Sequence, residues 1–136
     1  MPRLIALDYG RARIGLAACD ALGITVTPLG FVARTSDAQA AAIIAAFARK
    51  ESAEAVVIGL PLHANGDAGT NVAWVRGFLK ELAKVCAVPV HEVDERYSTV
   101  EAEELLRARG EWPAKPGRID AASAAVLLQR FLAGER

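Results

Sequence analysis

The chain has 136 residues, 53% of them hydrophobic and 24% charged, which suits one globular domain with its own core and excludes a disordered segment. Lys plus Arg and Asp plus Glu are 16 each, so the zero net charge argues against coating nucleic acid by bulk charge, though not against a local basic rim around an acidic centre. No apolar run is long enough to span a bilayer. Met1-Pro2-Arg3 leads straight into a strand-like stretch, so no secretory signal is expected and the cytoplasm is the default location. Cys19 and Cys86 sit in apolar stretches without C-x-x-C spacing and read as reduced thiols.

The opening third predicts three strands in an antiparallel meander. Leu4 to Asp8 is apolar, Tyr9 to Arg13 turns, Ile14 to Cys19 is apolar, Asp20 to Gly23 turns, and Thr25 to Val32 is rich in β-formers. From there helix and strand alternate. Ser36 and Gln39 form a capping box opening a helix to about Glu51, with Ile43, Ile44 and Phe47 as its apolar face. Ala55 to Gly59 is a short buried strand. A loop from Leu60 to Gly69 leads to a helix over 70–85, whose Val72, Val75, Leu79 and Leu82 keep helical spacing. Val88 to Asp94 is the last strand. Ser98 and Glu101 form a second capping box for a helix ending at Gly110, and the last helix spans Ile119 to Leu132. Its run Ala121-Ala122 and Ala124 to Leu128 is apolar nearly all round, so it packs on several sides. No repeat, low-complexity segment or linker interrupts residues 1–136, read as a single domain. The order β-β-β-α-β-α-β-α-α describes an α/β fold of the ribonuclease H-like kind, a mixed five-stranded sheet with helices on both faces.

Four segments place polar residues at the end of apolar runs. Asp8 closes a buried strand, where a bare carboxylate is costly unless paired or bound to metal, although an Asp also starts turns. The nearby Gly10 and Gly15 permit close backbone approach, suited to a phosphate or metal site and equally to a hairpin. Asp94-Glu95-Arg96 follows the last strand, at the strand end where open α/β sheets bind ligands. Neighbouring strand residues point to opposite faces, so one of Asp94 and Glu95 faces a site and the other pairs locally with Arg96, unless both merely lead into a capped helix. Asp120 opens the most buried helix, where a capping role competes with a ligand role. The fourth segment, Gly59 to Gly69, offers backbone N–H groups to a phosphate but lacks the Gly-Lys-Ser/Thr of a P-loop. In it His63 and Asn65 are candidate substrate contacts, with solvation as the plain alternative for His63. His91, inside a strand, reads as structural. Trp74 and Trp112 are either exposed contacts or packing.

In this order, Asp-Tyr-Gly-x-x-Arg-Ile-Gly (8–15), Gly-Leu-Pro-Leu (59–62), Asp-Glu-Arg-x-Ser-Thr (94–99) and Ile-Asp-Ala-Ala (119–122) resemble the YqgF family of RuvX-like proteins. These are described as pre-16S rRNA nucleases with a resolvase-like ribonuclease H fold. The likeness runs from Leu4 to about Leu132. It implies Asp8, Glu95 and Asp120 as catalytic and metal-binding residues, and Mg²⁺ or Mn²⁺ as cofactor. In the two-metal scheme Asp8 bridges ions about 4 Å apart. Arg13 and Arg96 become candidate phosphate contacts, either of which can instead pair with a neighbouring acid. The implied partner is structured RNA, with branched DNA as the alternative, and a homodimer would suit a symmetric junction. Before Asp120, Glu111 to Gly117 contains a single basic residue, Lys115. Two other classes stand beside the nuclease. One is a non-catalytic RNA- or protein-binding factor in ribosome assembly or transcription. The other is an ATPase of related fold, which normally needs two such domains.

Overall fold

The computed structural model describes residues 3–60, 70–96 and 98–134. Five strands, β1 (Leu4–Tyr9), β2 (Arg13–Cys19), β3 (Val26–Ala33), β4 (Ala55–Leu60) and β5 (Val90–Asp94), form one sheet in the order β3-β2-β1-β4-β5. The first three pair antiparallel as a meander; β4 joins β1, and β5 joins β4, in parallel. The parallel pairings need crossovers, which are supplied by α1 (Asp37–Lys50) and α2 (Thr70–Val85). Two further helices, α3 (Ser98–Ala108) and α4 (Pro116–Leu132), close the chain.

Strand alternation divides the core into two layers. On one face Ile5, Leu7, Ile14, Val56 and Ile58 pack against Ile44 of α1 and Val75, Phe78 and Leu82 of α2. The α2 stripe keeps the expected period, with fully buried Phe78 at its centre and Leu79 only partly buried. On α1, Ile43 is exposed and alanines line the interface instead. The start of α1 is as expected: the Ser36 hydroxyl accepts the Gln39 N–H at 3.1 Å.

On the other face the side chains are small. Ala6, Ala17 and Val57 meet Ala124, Ala125 and Leu128 of α4, so this helix lies close against the sheet. A second side of α4 packs on α3 through Ala102, Leu106, Ala122 and Val126, which is why the helix is apolar nearly all round. Trp112 packs against this cluster, whereas Trp74 is exposed beneath the Arg11 guanidinium at 4.7 Å. Both cysteines are free thiols, and among the described residues no helix is long and apolar enough to cross a membrane.

Two expected helix starts are displaced. α4 begins at Pro116 with Lys115 as N-cap, because proline at the first helical position supplies the required φ and lacks an N–H that would go unpaired. Asp120 is therefore inside the helix, not at its N-cap. Ser98 is the first residue of α3, buried, with its N–H donated to the Glu95 carbonyl at 3.0 Å.

Candidate active site

Asp8 sits on the face covered by α4, two residues beyond Ala6 on β1. Directly across the β1–β2 ladder is Gly15. A Cβ on Gly15 would collide with the backbone of Asp120 and Ala121, so the missing side chain is what allows α4 to bring Asp120 alongside Asp8. The close approach expected of Gly15 therefore serves a helix, not a phosphate.

Glu95 arrives from the other side. Val93 points into the α4 layer and Glu95, two residues on, keeps that direction. Its N–H is donated to the Leu60 carbonyl at 3.1 Å, carrying the β4–β5 pairing one residue past the strand. Gly59 makes the room: a Cβ there would lie 2.7 Å from Glu95 Oε2 and 2.8 Å from both Glu95 Cβ and Leu127 Cδ1. Arg130, near the end of α4, donates to the carbonyls of Asp94 at 2.9 Å and Arg96 at 2.8 Å, and pairs with Glu101 at 3.0 Å. It clamps the backbone on both sides of Glu95.

The electrostatics follow from this crowding. Burial is the largest cause that holds the Asp8 carboxyl well above the usual carboxylate range; the Glu95 charge, a hydrogen bond donated to Glu95, and the charge of Asp120 add to it. Burial also raises Glu95, offset in part by the bond from Asp8 and by Arg130, while Asp94 pushes it further up. Both shifts favour keeping a proton within the pair. Glu95 Oε2 is buried without a hydrogen-bond partner among the described residues, a costly state for a carboxylate oxygen unless a cation is meant to meet it.

The remaining expected residues divide cleanly. Asp94 and Glu95 do take different jobs: Asp94 accepts Arg96 Nε at 2.6 Å and the Arg96 N–H at 2.9 Å, leaving Glu95 to face Asp8. Arg13 donates its Nε to Asp120 Oδ2 at 2.6 Å. Both candidate phosphate arginines are therefore paired with acids. Asp120 acts on Asp8 through its charge, yet among the described residues no three of His, Cys, Asp and Glu stand together as a ready-made metal cage. His63 and Asn65 lie outside the described residues. His91 is on β5 with its ring 5.1 Å from that of Phe131, a packing contact. Gly59 is expected to offer its backbone to a phosphate, and it instead makes room for Glu95; Arg130 is not among the expected site residues. A single charged residue in the otherwise uncharged stretch Ala121 to Leu132 is the available signal for Arg130.

The family model for RuvX, described as a Holliday junction resolvase, matches residues 2–134. The chain belongs to the RuvX family. A RuvX-family relative from Anaeromyxobacter sp. (strain Fw109-5) is 47% identical over 135 residues, covering 97% of each chain, and one from Synechococcus elongatus is 41% identical over 133 residues, covering 97% of this chain and 89% of its own. Both carry the name "Putative pre-16S rRNA nuclease". Among solved structures, Thermus thermophilus RuvC in complex with a Holliday junction substrate superposes with a TM-score of 0.60 at 18% identity, covering 97% of this chain and 94% of its own. The fowlpox virus Holliday junction resolvase gives 0.61 at 10% identity, covering 97% and 99%. These two likenesses establish the fold, the ribonuclease H-like α/β arrangement expected from the element order.

Proposed function

We propose that this RuvX-family chain, working as one domain of residues 1–136, is a metal-dependent endonuclease that hydrolyses phosphodiesters in structured RNA, with maturation of the pre-16S rRNA 5′ end as its task. The observation that carries this reading is the half-buried Asp8–Glu95 carboxyl pair at the strand ends, in which Glu95 Oε2 is buried and has no partner among the described residues. The donor set fits a hard divalent cation, Mg²⁺ or Mn²⁺, which prefers oxygen ligands and offsets carboxylates that otherwise repel one another. Asp8 and Glu95 are the preformed ligands, and Asp120 is the third, its Oδ2 engaged by Arg13. Bound there, the cation supplies charge neutralisation for a phosphoryl group and acidifies water for attack.

The chain's own residues do the rest. To hold a cation both Asp8 and Glu95 would have to be ionised, any proton between them passing to solvent. Gly59 and Arg130 hold Glu95 against Asp8, and Gly15 lets α4 hold Asp120. Arg13, beside Asp120, and Arg96 are the cationic groups for substrate phosphates, each exchanging its acid for a phosphate oxygen. The names of the RuvX-family relatives favour rRNA. The description of the matching family favours a four-way DNA junction, for which a two-fold homodimer and cytoplasmic action on the chromosome are the corresponding proposal.

The test is cleavage of structured pre-rRNA fragments and four-way DNA junctions with Mg²⁺ or Mn²⁺, wild type beside Asp8→Asn. Cleavage that disappears in the variant supports the enzyme, and the better substrate identifies the nucleic acid. A folded wild type that binds either substrate without cutting it would overturn the nuclease and leave a ribosome-assembly or transcription factor.

A further inference from the structure

A groove of about 530 Å³ lies beside the carboxylates, between β3 and the start of α4. Its lining is mainly apolar, from Leu29, Phe31 and Pro116, and the charged side chains on it are the cations Arg13, Lys115 and Arg118. Lys115 is exposed and, among the described residues, has no ion-pair partner, whereas Arg118 is paired with Glu111 at 2.6 Å. Phe31 is 50% exposed, unusual for an aromatic on a strand, yet its position is fixed: the edge of its ring rests where a Gly117 side chain would be. The edge strand is bulged at this point, for Leu16 pairs with Gly30 and Ala17 with Pro28, leaving Leu29 as the extra residue.

The register links this groove to the active site. Asp8 pairs with Gly15, and Gly15 with Phe31, so the three form one row across β1, β2 and β3 on the same face. Phe31 is thus two strand spacings, about 10 Å, from Asp8. Arg13 stands at the junction, lining the groove while bonded to Asp120. A fixed, half-exposed aromatic ring among cations is what a single nucleic-acid strand requires: a surface on which a base stacks and charges for its phosphates.

We propose that this groove binds the single-stranded segment flanking the scissile phosphate, with a base stacked on Phe31 and backbone phosphates held by Lys115 and Arg118. The inference rests on the nuclease reading but concerns binding alone. An apolar or acidic peptide would use the same surface differently, for it has no bases to distinguish phenylalanine from leucine.

Fluorescence anisotropy of a short, unstructured, end-labelled oligoribonucleotide, in an Asp8→Asn background so that nothing is cut, tests it. Phe31→Ala should weaken binding by about tenfold. Phe31→Trp should restore it and Phe31→Leu should not. Lys115→Ala should weaken binding and reduce the salt slope by about one. Wild-type affinity in Phe31→Ala, or full rescue by leucine, would overturn the groove assignment. Cleavage assayed separately in the Asp8 wild type keeps the two ideas apart: unchanged binding in the Phe31 variants beside normal cleavage sinks the groove and spares the nuclease, and the reverse result does the opposite.

Discussion

The main-chain carbonyl of Asp120 occupies the space where Gly15 would carry its Cβ. Backbone on both sides leaves nothing flexible to yield, so the sheet-to-helix distance, and with it the position of Asp120 beside Asp8, depends on that hydrogen. Gly15→Ala should cost about 3 kcal/mol or more, lowering Tm by about 10 °C, because α4 must move as a unit against a close-packed face. Thermal unfolding measures this directly. A variant as stable as wild type would mean the helix is not seated as closely as its contacts indicate.

Gly59 presents a different case. The nearest atoms to its extra methyl would be side-chain atoms of Glu95 and Leu127, which can shift more readily than backbone, so Gly59→Ala should fold. Its effect should appear in the chemistry: displacing Glu95 by about an ångström should reduce cleavage by about a hundredfold with little change in substrate affinity. Comparing single-turnover cleavage with binding separates the two. An equal fall in both would place Gly59 in the substrate path instead.

The carboxyl pair makes stability depend on pH and on metal. Asp8 and Glu95 have raised folded values, so their contribution is fully present below their unfolded values, about 4, and is lost as pH rises through the raised folded values. In chelator, wild-type Tm should therefore fall as pH climbs from about 5 towards 8. Asp8→Asn removes the buried charge and should be the more stable protein at pH 8, by about 1 kcal/mol or more. Saturating Mn²⁺ should reverse that order, since only wild type binds it well: a concentration of a hundred times Kd is worth about 2.7 kcal/mol. The same variant should lose cleavage by at least about a hundredfold. Identical melting curves in chelator at pH 8 would show that Asp8 is not the strained member of the pair.

Much of this arrangement was legible in the chain. Strand alternation alone separates Asp94 from Glu95, and the structure gives the first to Arg96 and the second to Asp8. The β-β-β-α-β-α-β-α-α order followed from local patterns that tertiary packing did not override. Other features depend on partners distant in sequence. Pro116 moves the start of α4 ahead of Asp120, so a residue that resembles a cap is a side chain on the first turns of a buried helix, held by Arg13 of β2. By sequence Phe31 is one more β-former in the third strand; only the register, which puts it in line with Asp8, gives it another meaning. Ile43 fits the apolar stripe of α1 by spacing and is exposed, the buried face being Ile44 with Ala40, Ala41, Ala45 and Ala48.

Arg130 is the hidden support of the site. Its two amino groups reach the carbonyls flanking Glu95 and its charge meets Glu101, while its own side chain is mostly buried. Truncation to alanine strands two carbonyls and removes a charge that favours ionised Glu95, so Arg130→Ala should cost about 2–3 kcal/mol. Arg130→Lys is the sharper probe. Lysine keeps the charge but is a point donor that cannot span both carbonyls, which the planar guanidinium fork does. It should retain most of the stability while Mn²⁺ affinity, read by calorimetry, and cleavage both fall by about tenfold, since Glu95 keeps its carboxylate and loses its fixed position. If Arg130→Lys binds Mn²⁺ as tightly as wild type, the clamp serves only the packing of α4, and the placement of Glu95 rests on Gly59 and the Leu60 carbonyl alone.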